Sequence, residues 1–244
     1  MDMLEGVRLS RRFGGLKALS DFNFLVEKGQ IVGLIGPNGS GKTTLFNVIT
    51  GFYPADSGKV LYKGREITRC KPYEIAKLGI GRTFQIVRPL LDLSVLDNVT
   101  TAVLYGRENI RSMAKGKARA LDLLRFVRLD ARKDTPAQSL VAVERKRLEL
   151  ARALAIKPEL LLLDETFSGL NDTEIADAIK LIFRIRDELN ITIFLIEHVM
   201  KAVMGTCKKI FVMQYGVKLA EGTPEEVSKN PAVIEAYLGK KKHA

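Results

Sequence analysis

The sequence has 244 residues, 46% of them hydrophobic, and a formal net charge of +11. That length suits one large α/β domain or two small ones with a real core. The longest apolar runs, 160–163 and 193–196, fall far short of the roughly 20 residues a membrane span needs.

No charged-then-apolar leader opens the chain, so the expectation is a soluble, non-secreted protein. Cys70 and Cys207 lack metal-ligand spacing, as two unpaired thiols in a reducing compartment would. Basic residues cluster at 111–133, 145–152 and 240–242. Such a surface could meet nucleic acid, anionic lipid or an acidic partner, or simply be solvated. Phe126 is the one aromatic residue within the clusters, too few to make the stacking platforms that single strands would need.

In chain order, residues 4–10, 19–26 and 59–62 read as short strands around turn signals at 13–15 and 27–29. They are expected to form a small antiparallel sheet. Phe13 is placed either to pack in a core or to stack on an adenine ring. Residues 31–35 read as a buried strand and 45–50 as a helix ended by Gly51. Between them lie Gly36, Pro37, Asn38, Gly39, Ser40, Gly41, Lys42, Thr43 and Thr44. Strand, glycine-rich turn, Lys-Thr and helix make a phosphate-binding loop in its confirming context. Glycines let backbone N–H groups converge on phosphate oxygens, and the helix N-terminus adds partial positive charge. Lys42 can reach the outer phosphates and the Thr43 hydroxyl can hold Mg²⁺. The expectation is a protein that binds a nucleoside triphosphate.

Residues 73–78 read as a short helix, and Gly81 to Gln85 lead into a mixed stretch ending at Pro89. Residues 94–155 carry a helical period, with Met113, Ala120, Leu121, Leu124 and Val127 on one face. This predicts a helical insertion with a loop at 130–138. Leu160 to Leu163 fit a strand buried on both faces of a parallel sheet, from which Asp164 and Glu165 emerge. Alone, the pair would read as an acidic capping turn. Beside a phosphate loop, Asp164 would hold Mg²⁺ through water and Glu165 would orient or deprotonate the attacking water. Residues 173–189 read as a helix capped by Asn171 and Glu174. Residues 192–196 form a further buried strand ending at Glu197 and His198, where a polar switch could touch a γ-phosphate. A hairpin, 209–214 with 217–222, and two short helices, 224–227 and 231–238, close the chain.

These landmarks, in this order, resemble the ATP-binding-cassette (ABC) ATPases over essentially the whole chain. The resemblance implies an α/β fold: a P-loop NTPase (RecA-like) parallel sheet core, an N-terminal antiparallel β subdomain and an inserted helical subdomain. As one domain, 1–244, it would place the β subdomain and core in 1–85 and the helical subdomain in about 86–155. The core would continue through 156–222, before C-terminal helices at 223–244. Phe13 matches the adenine-stacking aromatic, Gly36 to Thr43 the Walker A loop, Gln85 the Q-loop glutamine and Leu160 to Asp164 Walker B. Glu165 matches the catalytic glutamate, Ser168 to Asn171 the D-loop and His198 the switch histidine. The implied cofactors are ATP and Mg²⁺. Lys42, Gln85, Glu165 and His198 would serve catalysis, and Thr43, Gln85 and Asp164 the metal.

A narrower resemblance, carried by Gly79-Ile80-Gly81-Arg82-Thr83-Phe84-Gln85, Glu197-His198-Val199-Met200 and the ending from Ala220 to Gly239, is to the ATPases of branched-chain amino-acid importers. Relatives move urea, amides or lipopolysaccharide. It implies transmembrane permease partners, a second ATPase subunit, indirect contact with an extracytoplasmic binding protein, and a place on the cytoplasmic face of the membrane, with no nucleic acid expected. Residues 87–93 are the expected permease contact. A soluble nucleic-acid-linked cassette and a low-activity regulatory subunit are the rivals.

One departure stands out. The family signature Leu-Ser-Gly-Gly-Gln falls here on Leu140, Val141, Ala142, Val143 and Glu144. The serine hydroxyl is gone, Val143 removes the close approach glycine permits, and Glu144 is expected to place a negative charge near a γ-phosphate. Thr166, where the family usually has proline, is milder. In a head-to-tail dimer each phosphate loop meets the partner's signature, so a heterodimer with one impaired site is expected.

Overall fold

In the computed structural model, which describes residues 1–85 and 89–238, two long strands open the chain. These are β1 (Asp2–Phe13) and β2 (Leu16–Glu27), an antiparallel pair turning at Gly14 and Gly15. Both run beyond the apolar pattern that announces them, because pairing carries on through the polar residues. Arg11 Nη1 and the Arg12 N–H donate to the Asp56 carboxylate at 2.6 and 2.7 Å, which holds that end of β1 in place. Next come β3 (Ile31–Ile35), α1 (Lys42–Ile49), β4 (Ser57–Tyr62) and β5 (Arg65–Glu66). The first sheet has the order β2-β1-β4-β5.

The chain then forms α2 (Pro72–Leu78) and β6 (Ile80–Arg82), a strand too short and glycine-containing to show in the apolar pattern. Three helices follow: α3 (Val95–Leu104), α4 (Met113–Phe126) and α5 (Ala142–Ala155). The helical period expected across 94–155 is interrupted. A Cβ at Gly106 would lie 3.0 Å from Ala102 O, Asn109 has φ +48°, and two three-ten turns, Asp130–Arg132 and Ala137–Ser139, flank Pro136. Met113 is not on the packed face either. It sits in the first turn of α4 and is 56% exposed, and the buried positions are Gly116, Ala120, Leu123 and Leu124.

The remainder is β7 (Leu160–Asp164), α6 (Asp172–Leu189), β8 (Thr192–Ile196), α7 (Met200–Thr206), β9 (Lys209–Gln214), β10 (Val217–Gly222), α8 (Pro224–Lys229) and α9 (Pro231–Leu238). A reciprocal cap starts α6: Asn171 Oδ1 accepts the Glu174 N–H at 3.0 Å and Glu174 Oε2 accepts the Asn171 N–H at 2.9 Å. The second sheet has the order β10-β9-β3-β8-β7-β6, parallel from β9 to β6 with β10 as an antiparallel edge.

Every residue of β3, β7 and β8 is buried, as a parallel sheet covered on both faces requires. Alternate residues serve two cores. Ile31, Leu161, Leu163, Ile193 and Leu195 face the helical layer. Val32, Leu34, Leu160, Leu162 and Phe194 face the antiparallel sheet through a cluster of Phe24, Phe46, Phe194 and Phe211. Anchored from both sides, the carboxyl ends of β3, β7 and β8 form a firm platform. Among the described residues no helix is long and apolar enough to cross a membrane. The basic cluster at 240–242 and residues 87 and 88 of the expected permease contact lie outside the described residues.

Candidate active site

The loop after β3 is wedged between β2 and β9. A Cβ on Gly41 would lie 2.3 Å from Ala18 O and one on Gly36 2.0 Å from Met213 O, so only glycine fits either place. Gly41 is the N-cap of α1 with φ 110°, it supplies no side-chain cap, and the first turn holds no acidic residue. The orphan N–H groups there are left to an anion. Asn38 and Gly39 are exposed at the loop tip, Pro37 and Thr44 half-buried, and Thr43 exposed on the first turn of α1. Ser40 is 3% exposed, and its Oγ has no hydrogen-bond partner among the described residues. Lys42 is folded back: its Nζ donates to Gly36 O at 2.7 Å and Pro37 O at 2.9 Å. Burial lowers its pKa, against the opposing pull of Glu165 and Asp164.

Asp164, at the end of β7, is 2% exposed. Arg82 Nη2 meets its Oδ2 at 2.9 Å, while Arg82 Nη1 reaches Asn47 Oδ1 at 2.8 Å and Thr50 Oγ1 at 2.9 Å. The guanidinium also lies 4.7 Å from the Phe84 ring centroid. Burial drives both members of the pair toward neutrality, raising the Asp164 pKa and lowering that of Arg82, and their contact opposes this in each. Arg82 lies within the 79–85 motif, but the sequence alone assigns it no role. Its only signal was a single arginine between the apolar Ile80 and Phe84.

Glu165 has φ +53°, in the left-handed region that glycine favours. Its Oε2 accepts Gln85 Nε2 at 2.6 Å and lies 3.2 Å from His198 Nε2. The structure therefore brings three segments together, from the end of β6, the end of β7 and the end of β8. Phe13 is 40% exposed rather than packed in a core, edge-on to Tyr53 at 5.2 Å with the Arg11 guanidinium 4.9 Å over its ring.

Segment 140–144 forms the start of α5. Leu140 is buried, Val141 is a 60% exposed N-cap with no side-chain cap bond, Ala142 opens the helix, and Val143 is half-buried. Within the single chain the Glu144 carboxylate is engaged locally. Its Oε2 accepts the Val141 N–H at 3.1 Å, and Arg132 Nε lies 3.3 Å from Oε1. A carboxylate satisfies the orphan donors of its own helix start at little cost, so the charge is turned inward onto α5. Two residues on, Lys146 Nζ donates to Thr166 O at 3.0 Å and to Ser168 O. Glu149, 8% exposed, accepts the Phe84 N–H at 2.5 Å. These two charged side chains on the inner face of α5 also escaped the sequence reading, since an isolated charge in an amphipathic helix reads as solvent-facing.

A hard cation would find donors here. Asp164 Oδ1 is buried with no partner among the described residues, and Thr43 and Gln85 line the same cleft as Asp164. Among the described residues no three His, Cys, Asp or Glu side chains form a metal cage, so phosphate oxygens would have to complete the shell, as is usual for Mg²⁺. A cleft of about 700 Å³ leads away from Thr43, Gln85 and Asp164 between α2 and α5, walled by Phe52, Ile75 and Phe84.

Residues 19–168 match the family model described as ABC transporter, and residues 217–243 that described as branched-chain amino acid ATP-binding cassette transporter. The chain is 39% identical to the probable branched-chain amino acid transport ATP-binding protein LivG of Archaeoglobus fulgidus, over 98% of this chain and 96% of that one. Against the high-affinity LivG of Escherichia coli strain K12 the identity is 40%, over 95% of each. The lipopolysaccharide export system ATP-binding protein LptB of the same strain is 33% identical over 98% of each. Among solved structures, the ADP conformation of MJ1267, an ATP-binding cassette of an ABC transporter, has a TM-score of 0.87 at 31% identity, covering 98% of this chain and all of that one.

Proposed function

The chain belongs to the ATP-binding cassettes of ABC transporters, and from that membership we propose that it is the ATP-hydrolysing motor subunit of an importer for branched-chain or related amino acids. The observation that carries the reading is the meeting of Gln85 and His198 on the Glu165 carboxylate beside the phosphate loop. The substrate class rests on the LivG relatives and on the match across 217–243. Likeness to LptB keeps lipopolysaccharide as the alternative cargo.

In this reading the loop N–H groups and the start of α1 hold the phosphates, with Phe13 against the adenine. Lys42 exchanges its two loop carbonyls for β- and γ-phosphate oxygens, a trade that keeps its charge partnered. Thr43, Gln85 and Asp164 would hold Mg²⁺, which supplies neutralising charge to the phosphates when bound. Glu165, with an 11% exposed side chain, takes the proton of the attacking water, and His198 holds its carboxylate in line. The half-exposed Phe52 and Phe84 along the cleft offer a permease loop an apolar seat at the cytoplasmic face of the membrane. Motion there passes to Gln85 one residue away. A second ATPase subunit would complete the site, and a heterodimer is favoured because Val141 to Glu144 lack a serine hydroxyl and glycine backbone. A binding protein would act only through the permease.

Glu165→Gln tests the reading. It removes the base while keeping the shape, so ATP should still bind while turnover falls about 100-fold or more. An unchanged hydrolysis rate would assign the base elsewhere.

A further inference from the structure

A left-handed φ on a residue other than glycine persists only where surrounding contacts over-determine it. The turn that presents Glu165 is held at three points. The Glu165 N–H donates to Ile196 O at 2.9 Å, continuing the pairing of β7 with β8. The Phe167 N–H donates to Glu197 Oε1 at 2.8 Å. Lys146, reaching across from α5, donates to Thr166 O and Ser168 O on the far side of the same turn.

Two of these three points are charged side chains, Glu197 buried and Lys146 half-buried, an arrangement that backbone pairing alone does not require. Glu197 is 1% exposed. Burial raises its carboxyl pKa to about 7, against the N–H groups of Phe167, His198 and Val199 and the Lys146 ammonium. Its Oε2 has no full hydrogen-bond partner among the described residues. Glu197 is also the residue before His198, whose ring lies 3.2 Å from the Glu165 carboxylate. One buried side chain thus ties the turn carrying the base to the strand end carrying the switch.

We propose that Glu197 is a positioning residue for ATP hydrolysis: its carboxylate clips the turn 165–167 to the end of β8 and so fixes Glu165 against His198, with Lys146 closing the clip from α5. Glu197 touches neither the nucleotide nor the attacking water. Its effect falls on the placement of Glu165, and a displacement of about 1 Å at a base can cost 10²-fold in rate. A residue that merely stabilised the fold would lower the melting temperature without slowing bound-ATP cleavage.

The inference rests on Glu165 being the base, so the experiment carries both. The full chain is assembled with its permease and partner ATPase, and single-turnover cleavage of bound ATP is measured beside ATP affinity and melting temperature. Glu197→Ala should slow cleavage about 10- to 100-fold with affinity unchanged. Glu197→Gln keeps an acceptor for the Phe167 N–H and should stay within about threefold of wild type. Should the alanine variant fail to fold, Glu197→Asp, which draws the oxygens back by one methylene while keeping the charge, carries the test with a loss of about fivefold or more. Wild-type cleavage by the alanine or aspartate variant, affinity lost in step with rate, or glutamine no better than alanine would overturn the proposal. Activity surviving in Glu165→Gln would instead overturn the assignment of the base.

Discussion

At the scale of single residues, the site is built from charges kept out of water, and that leaves a mark on stability. Glu149 and Glu197 are 8% and 1% exposed, and burial pushes both from 4.5 to about 7. Between those values the native state holds protons that the unfolded chain has released. Each residue therefore subtracts stability as pH rises through that window, with the full penalty above pH 7. For a shift of this size the penalty is on the order of 3 kcal/mol per residue. Replacing either by glutamine keeps an acceptor for the Phe84 or Phe167 N–H and removes the charge. Glu149→Gln and Glu197→Gln should each raise the melting temperature relative to wild type at pH 8, with the gain fading toward pH 4.5. A difference independent of pH would show that the buried charge is not the cause. Glu149 and Lys146 were illegible in the sequence for one physical reason. Only tertiary packing decides whether a charged residue in a helix faces water or an opposing loop. Gly36, Gly41, Lys42 and Asp164 were legible because their chemistry is local to one strand and one turn.

At the scale of elements, the same division holds. β3, β7 and β8 announce themselves as unbroken apolar runs, and the hairpin of β9 and β10 by its turn, where Tyr215 and Gly216 both have positive φ. β6 was hidden because three residues with a central glycine carry no period. It becomes a strand only by pairing with Leu160 to Leu162, yet it delivers Arg82 to Asp164. α5 is the element with most consequence. Its start is helically sound, with Ala142 opening the helix and Glu144 returning to the Val141 N–H, while offering no hydroxyl and no glycine backbone to a phosphate. Restoring Val141→Ser, Ala142→Gly, Val143→Gly and Glu144→Gln together should trade helix for function. Two glycines in the first turn cost about 1 kcal/mol each, and a serine N-cap returns about 1 kcal/mol. The melting temperature should fall by a few degrees, and ATP turnover of the isolated chain, in which both sites would depend on this segment, should rise about tenfold or more as donors are returned. Turnover unchanged by the four substitutions would mean that this segment never faces a nucleotide.

At the scale of the whole molecule, the two halves of the chemistry are unequally finished. The phosphate loop, Asp164, Glu165, Gln85 and His198 lie together at the carboxyl ends of the central strands. The helical layer, by contrast, carries at the start of α5 the segment Val141 to Glu144, which has neither a serine hydroxyl nor a glycine. In a head-to-tail pair of identical chains both nucleotides would meet that poor segment. In a mixed pair only one would, and this chain's own loop would be completed by the partner's signature. Each missing donor to the γ-phosphate is worth roughly 3 kcal/mol in the transition state, so losing two could slow turnover by about 10⁴-fold. The isolated chain at high concentration should therefore hydrolyse ATP at least about 100-fold more slowly than the same chain paired with a cassette bearing Ser-Gly-Gly. Mutating that serine in the partner should return the pair to the slow rate, because the competent site depends on it. Mutating Lys42 here should do the same from the other side, since both halves of one site are then tested in separate chains. A fast rate from the isolated chain would show that Val141 to Glu144 suffice, and the argument for an unlike partner would lapse.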